Sequence, residues 1–233
     1  MKRIAYVVVH GFGGVPENVT SIKEELKSKN IDENDIFTPL LLGHGKQGII
    51  KLNTKFEDIV YDLKKYVERN CFEYEKIVLI GYSMGGLIAM SLTLEIKIDV
   101  LILINAPMHI WTFKNFIWTI YNVDVNKKFY HIKTVLSSAH YNKVINSIEL
   151  KRLQKYVKCN LNKITSSTYI IQSKHDYVAK PESANEIYDS IGAEKKEILW
   201  SEQTSHFIPD EEEVKEIIKE TVDWVEEALK CPM

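Results

Sequence analysis

Gly81-Tyr82-Ser83-Met84-Gly85-Gly86 is the stretch that decides how this chain reads. An apolar run over residues 76–80 leads into it and a run with helical character over 87–96 leads out, so a strand, a sharp turn and a helix are expected. A serine at such a turn projects from the backbone into an open site. The glycines beside it let strand and helix approach without a side-chain clash. Ser83 is therefore the candidate nucleophile. The bare pattern Gly-x-Ser-x-Gly arises often by chance, and the flanking strand and helix are what give it weight here.

Around the elbow lies a chain of 233 residues, enough for one domain that buries about 70 to 75% of the surface its unfolded form exposes. Hydrophobic residues at 45% and charged residues at 27% match an ordinary globular protein and disfavour disorder, collagen-like repeats or a disulfide scaffold. No stretch approaches the roughly twenty apolar residues that span a bilayer, and no basic-then-apolar leader is visible, so the expected address is the cytoplasm. Cys71, Cys159 and Cys231 are odd in number and lack metal-type spacing, which fits a reducing compartment. A net charge of only -2 gives no reason to expect nucleic acid. Neither a phosphate-loop lysine motif nor paired histidines spaced for zinc occur, so neither a metal nor a cofactor is expected.

Ile4–Val9 is a continuous apolar run with three consecutive valines, as in a strand covered on both faces of a parallel sheet. It ends in His10-Gly11-Phe12-Gly13-Gly14. These glycines let the backbone turn sharply and aim N–H groups at a bound atom, although a plain strand-to-helix turn also explains them. Helices are expected over 17–29, where Val19, Ile22 and Leu26 share a face, and over 54–68, with Thr54 available as the cap. A short strand is expected over 36–38. The glycine-rich loop 40–48 carries His44, either as part of a site wall or as an imidazole that ties down its own loop. Further strands fall at 100–104, 168–172 and 196–200. Helices follow at 181–191, with Pro181 in the first turn, and at 210–229, with an acidic start suited to the helix dipole. This alternation specifies an α/β fold, a mainly parallel sheet flanked by helices.

Residues 107–165 break the alternation. Aromatic residues from Trp111 to Tyr156 mix there with lysines, and Ile145, Ile148, Tyr156 and Val157 have helical spacing. A small helical cap is expected, inserted over the site between core segments 1–106 and 166–233. The insertion carries ten Lys and Arg against two acids, a net +8, which leaves -10 on the remainder. That asymmetry suits an anionic substrate or transient contact with an anionic membrane surface. A solvated polar face over an aromatic core is the plainer account.

A serine hydroxyl is a poor nucleophile at neutral pH; a base must take its proton and a third group must hold that base in the right tautomer. Asp176 and His206 each follow a predicted strand and so fall on the sheet edge that carries Ser83. The other histidines are placed less well: His10 precedes the glycine loop, His44 lies in a turn, His109, His131 and His140 fall in the insertion, and His175 adjoins the candidate acid. Among acids, Asp99 precedes its strand, Asp210 is placed to cap the last helix, and Glu202 is the outside choice.

Residues 7–14, the elbow, His175-Asp176 and Ser205-His206 together resemble the α/β-hydrolase superfamily, in particular its small bacterial carboxylesterases and monoacylglycerol lipases. The resemblance spans nearly the whole chain and is weakest over 107–165. It implies an α/β-hydrolase fold, a serine hydrolase with Ser83, Asp176 and His206 as its triad, and an oxyanion hole made by the backbone N–H groups of Phe12 and Met84. It also implies a helical cap after the family's sixth strand. Little sequence precedes Ile4, so the two leading antiparallel strands of larger relatives are expected to be absent.

The expected substrate is an uncharged ester with an acyl chain of short to medium length, or a monoacylglycerol, in a wall of Phe12, Met84, Met108, Trp111 and Val178, with His44 as a further candidate. Two alternatives stand beside it. A thioesterase or acyltransferase would use the same triad, and the basic insertion would suit an acyl coenzyme A. A binding protein on a hydrolase scaffold would leave Ser83 unused. No sequence feature assigns an oligomeric state.

Overall fold

Three valines in succession need cover on both faces of a sheet, and the fold supplies it. The computed structural model describes residues 3–45, 54–110, 143–176, 178–202, 206 and 211–230, apart from the side chains of 143–147 and 211–214. Six strands, β1 (Ile4–Val9), β2 (Ile36–Phe37), β3 (Lys76–Tyr82), β4 (Val100–Ile104), β5 (Ser167–Ser173) and β6 (Lys196–Ser201), form one sheet in the order β2-β1-β3-β4-β5-β6. Every pairing is parallel. The register sets Val9 opposite Gly81, Tyr82 opposite Ile104 and Ser173 opposite Ser201. The C-terminal ends of β1, β3, β4, β5 and β6 therefore finish along one edge, where the elbow emerges.

The helices among the described residues are α1 (Thr20–Ser28), α2 (Phe56–Asn70), α3 (Met84–Leu92), α4 (Lys143–Asn160), α5 (Glu182–Ser190) and α6 (Glu211–Lys230). Side chains alternate across each strand, so Val7, Val9, Leu79, Leu101 and Ile170 pack with α2, α3, α4 and α5. Val8, Val78, Ile80, Ile102 and Ile171 pack with α1 and α6 on the other face. A strand covered on both sides loses nothing by being apolar throughout, which is why the central strands read as continuous runs.

Local details differ from the sequence expectation. Lys55, not Thr54, precedes the first turn of α2 and makes no side-chain cap. The Phe56 N–H instead donates to Glu149 Oε2 of α4 at 3.2 Å, so a carboxylate from a facing helix satisfies an orphan donor. α3 stops at Leu92, where Thr93 Oγ1 donates to the Met90 carbonyl and overlapping turns take over. Pro181 stands at the cap of α5 rather than inside its first turn. Asp99 lies at the opposite edge from the elbow. Buried there, it pairs with Lys76 at 2.7 Å and accepts the Ile77 N–H at 2.9 Å, pinning the start of β3. No antiparallel strand is present among the described residues, and none of their helices is long and apolar enough to cross a membrane. Of the expected cap, α4 is described and packs Leu153 and Val157 into the core; residues 111–142 lie outside the described residues.

Candidate active site

Ser83 occupies the turn between β3 and α3 with φ 53° and ψ -125°, a region that costs a non-glycine residue about 1 to 3 kcal/mol and persists only when its surroundings enforce it. The Ser83 N–H donates to the Ile104 carbonyl at 2.8 Å, and its own carbonyl accepts from the Gly86 N–H at 2.8 Å. Close packing does the rest. A Cβ on Gly81 would lie 2.5 Å from the Gly85 carbonyl oxygen, and one on Gly85 would lie 2.5 Å from the carbonyl oxygens of Val9 and His10. These two glycines let α3 sit against the ends of β3 and β1.

Three of the sequence candidates meet at this point. Ser83 Oγ lies 2.7 Å from His206 Nε2, and His206 Nδ1 lies 2.8 Å from Asp176 Oδ2; all three residues are buried. The other carboxylate oxygen, Oδ1, accepts the N–H groups of Val178 at 2.7 Å and Ala179 at 2.9 Å. With Oδ1 so engaged, Oδ2 is aimed at the imidazole. A carboxylate at Nδ1 requires the proton there, which leaves the Nε2 lone pair to accept the serine hydroxyl. That arrangement can draw a proton from Ser83 Oγ. Among the described residues no group of three or more His, Cys, Asp or Glu side chains is placed to hold a metal ion.

Met84 is the first residue of α3, so its N–H is one of those a helix leaves without an internal acceptor. Phe12 lies in the turn closed by a bond from the Gly14 N–H to the Gly11 carbonyl at 3.1 Å, with Gly13 at φ 66°. The imidazole of His10 braces this turn from beneath. Its Nε2 accepts the Leu41 N–H at 3.1 Å and its Nδ1 donates to the Gly11 carbonyl at 2.9 Å. Burial drives its pKa down to about 4, against a smaller upward pull from the Gly11 carbonyl.

Phe12, His44 and Met84 line a solvent-open cleft with Phe56 and Ile59 of α2, Ile88 of α3, and Glu149, Leu150 and Leu153 of α4. Phe56 and Ile59 serve both the core and the cleft, because α2 and α4 meet over the start of α3. His44 both lines the cleft and bonds its own loop through the Leu42 carbonyl at 3.2 Å. Burial lowers its pKa as well. Two wall candidates lie elsewhere. Met108 packs into the core and Val178 serves Asp176 through its backbone, while Trp111 is outside the described residues.

The competing candidates are engaged or outside the description. Glu202 is exposed and paired with Lys174, His109 pairs with Glu186 at 2.7 Å, and His175 is exposed. His131, His140 and Asp210 lie outside the described residues. Two residues at the site carried no sequence signal as members of it. Tyr82 and Asn105 both donate to the His206 carbonyl. Only their positions at strand ends on the elbow edge could have pointed to them.

This fold and this serine elbow define a known class: the chain belongs to the α/β hydrolase fold family, whose model matches residues 6–131, over half its length. Among curated proteins it is similar to a carboxylesterase of Bacillus subtilis (strain 168), with 26% identity over 231 residues that cover 95% of this chain and 92% of that one. It is also similar to a thermostable monoacylglycerol lipase of Bacillus sp. (strain H-257), with 25% identity over 222 residues, 87% of this chain and 82% of the other. Among solved structures, one of the metagenome-derived lipolytic enzymes LipS and LipT superposes with a TM-score of 0.74 at 20% identity, covering 97% of this chain and 94% of that one.

Proposed function

We propose that this protein is a serine carboxylic-ester hydrolase acting on short- to medium-chain acyl esters or monoacylglycerols. The observation that carries the reading is the relay from Ser83 Oγ through His206 to Asp176, at 2.7 and 2.8 Å. Ser83 Oγ attacks the ester carbonyl carbon as its proton passes to His206 Nε2. The N–H groups of Phe12 and Met84 bind the oxyanion, and His206 gives its proton to the leaving alcohol. Water then attacks the acyl-enzyme, His206 takes its proton and returns one to Ser83, and the acid leaves. Asp176 stays ionised throughout.

The largely apolar cleft beside Met84 supports an uncharged acyl chain, and the carboxylesterase and lipase relatives support the ester class. Residues 107–165 form the cap in this reading and carry substrate choice. Their +8 charge favours one second reading, an acyl thioesterase or acyltransferase for a phosphate-bearing thioester. Exposed Lys151 and Lys155 on α4 equally suit transient contact with an anionic lipid surface. Free thiols at Cys71 and Cys159 accord with a cytoplasmic setting.

The test is fluorophosphonate labelling, combined with rates on a nitrophenyl ester, a monoacylglycerol and an acyl coenzyme A. Wild type labels and hydrolyses esters fastest, and Ser83→Ala does neither. A wild type that fails to label, or a Ser83→Ala variant that still labels, overturns the proposal. Faster turnover of the acyl coenzyme A selects the second reading.

A further inference from the structure

The carbonyl oxygen of His206 accepts two hydrogen bonds from outside the triad, from the Tyr82 hydroxyl at 2.7 Å and from the Asn105 side-chain amide at 3.1 Å. We propose that Tyr82 and Asn105 are positioning residues that hold the backbone of His206 where its imidazole meets Ser83, an inference that rests on the triad reading above.

His206 stands five residues beyond the end of β6, so the ladder of the sheet does not fix its backbone. Asp176 holds the ring at Nδ1 and Ser83 meets it at Nε2. The position from which the ring reaches both partners is set by the backbone that carries it, so an anchor on the His206 carbonyl fixes where Nε2 meets the serine. Tyr82 and Asn105 supply that anchor from the sheet itself. Tyr82 is the last residue of β3, and its ring centroid lies 5.7 Å from that of His206.

Asn105 follows β4 directly and ties the whole edge together. Its N–H donates to the Ile171 carbonyl at 2.9 Å, and its side-chain oxygen accepts the Ser173 N–H at 2.9 Å, where the loop to Asp176 begins. The preceding carbonyl, of Ile104, receives the Ser83 N–H. One dipeptide thus touches the segments that carry the nucleophile, the acid and the base. Asn105 does so at φ 50°, a left-handed conformation that asparagine tolerates better than most residues.

The plainer account is that both donors only satisfy a buried carbonyl, which has two lone pairs to fill. Kinetics separates the two, because a positioning role acts on the chemical step and a merely structural role acts on the amount of folded protein. Tyr82→Phe removes one hydroxyl. Asn105→Gly removes the amide while keeping the positive φ accessible.

The full-length variants, alone and combined, are assayed for kcat and KM on nitrophenyl butyrate and for the rate and final stoichiometry of fluorophosphonate labelling. Each single variant keeps one donor on the carbonyl and loses about tenfold in kcat and in labelling rate, with KM within about twofold. The double variant loses about 100-fold or more, in line with the cost of misplacing a reacting group by an ångström. Final stoichiometry stays at the wild-type value.

A double variant within threefold of wild type in kcat, or one whose loss lies wholly in KM or in labelled fraction, overturns the proposal. If Asn105→Gly does not fold, Tyr82→Phe carries the test by itself. Failure of the underlying reading looks different: wild type then does not label, or Ser83→Ala labels, and the positioning role falls with it.

Discussion

The backbone N–H of Leu41 donates to Nε2 of His10, and that bond settles the state of the imidazole. A nitrogen that accepts carries no proton, so the proton sits on Nδ1, where it is donated to the Gly11 carbonyl. His10 is thus a neutral strut between the loop after β2 and the turn that carries Phe12. Protonation at Nε2 would set two donors face to face.

This state makes folding sensitive to acid. The folded-state pKa of His10 is about 4, against an ordinary value of 6.5, so below 6.5 the unfolded chain takes up a proton that the native protein refuses. The stability involved is complete above pH 6.5, declines as the pH falls toward 4, and levels off beneath. Its size is on the order of 3 kcal/mol for this fully buried ring. Urea midpoints measured from pH 7.5 to 4.5 should fall steeply in the wild type and less so in His10→Gln. Some slope should persist in that variant, because burial also lowers the pKa of His44.

The elbow makes a second prediction, about stability rather than charge. In Gly85→Ala the new methyl would meet the carbonyl oxygens of Val9 and His10 at 2.5 Å, and backbone at the end of β1, where Val9 is paired with Gly81 of β3, has little room to retreat. Such overpacking should cost at least about 3 kcal/mol. Gly86→Ala meets the Cβ of Ala106 at 2.8 Å, a milder crowding that should cost about 1 to 3 kcal/mol. Thermal unfolding of the two variants checks the order; equal midpoints would refute the close-approach account of the Gly-x-Ser-x-Gly-Gly pattern.

The contrast between His206 and its clamp shows which parts of the site were legible in the sequence. A parallel sheet covered on both faces writes itself as apolar runs such as Ile4–Val9, and a strand followed by a loop places Asp176 and His206 on the elbow edge by topology alone. Tyr82 and Asn105 act through contacts 124 and 101 residues away in sequence, and no periodicity encodes such a pair. The cleft was half legible for a related reason. Met84 belongs to the elbow and Phe12 to the glycine turn after β1, each marked by a local motif, whereas Leu150 and Leu153 reach the cleft only because α4 docks over α3. Thr54 looked like the cap of α2 because local sequence offers no sign that Glu149 supplies the acceptor.

If that cleft holds the acyl chain, filling it should shorten the preferred substrate. Leu150→Phe adds bulk at the wall formed by α4 while leaving Ser83, His206 and Asp176 untouched. The expected result is about a tenfold loss in kcat/KM on an octanoyl ester with little change on an acetyl ester, since single methylenes in an apolar pocket are worth about 1 to 3 kcal/mol. A nitrophenyl ester series from two to twelve carbons checks it. A uniform loss at every chain length would place the acyl group elsewhere.

Asp176→Asn should leave the fold standing and nearly abolish turnover, because of how the carboxylate divides its two oxygens. Oδ1 accepts the N–H groups of Val178 and Ala179, so an asparagine must keep its own oxygen there. Its NH2 group then faces Nδ1 of His206 and donates to it. The imidazole is forced to carry its proton on Nε2, where it opposes the Ser83 hydroxyl instead of accepting from it. Losing the correct tautomer in triads of this geometry costs about 10⁴ in kcat. The expected variant has a near-normal thermal midpoint, a KM within a few fold of wild type and a kcat lower by about three to four orders of magnitude. Fluorophosphonate labelling should slow in proportion, since it draws on the same proton transfer. Turnover within tenfold of wild type would mean that His206 finds its tautomer without Asp176.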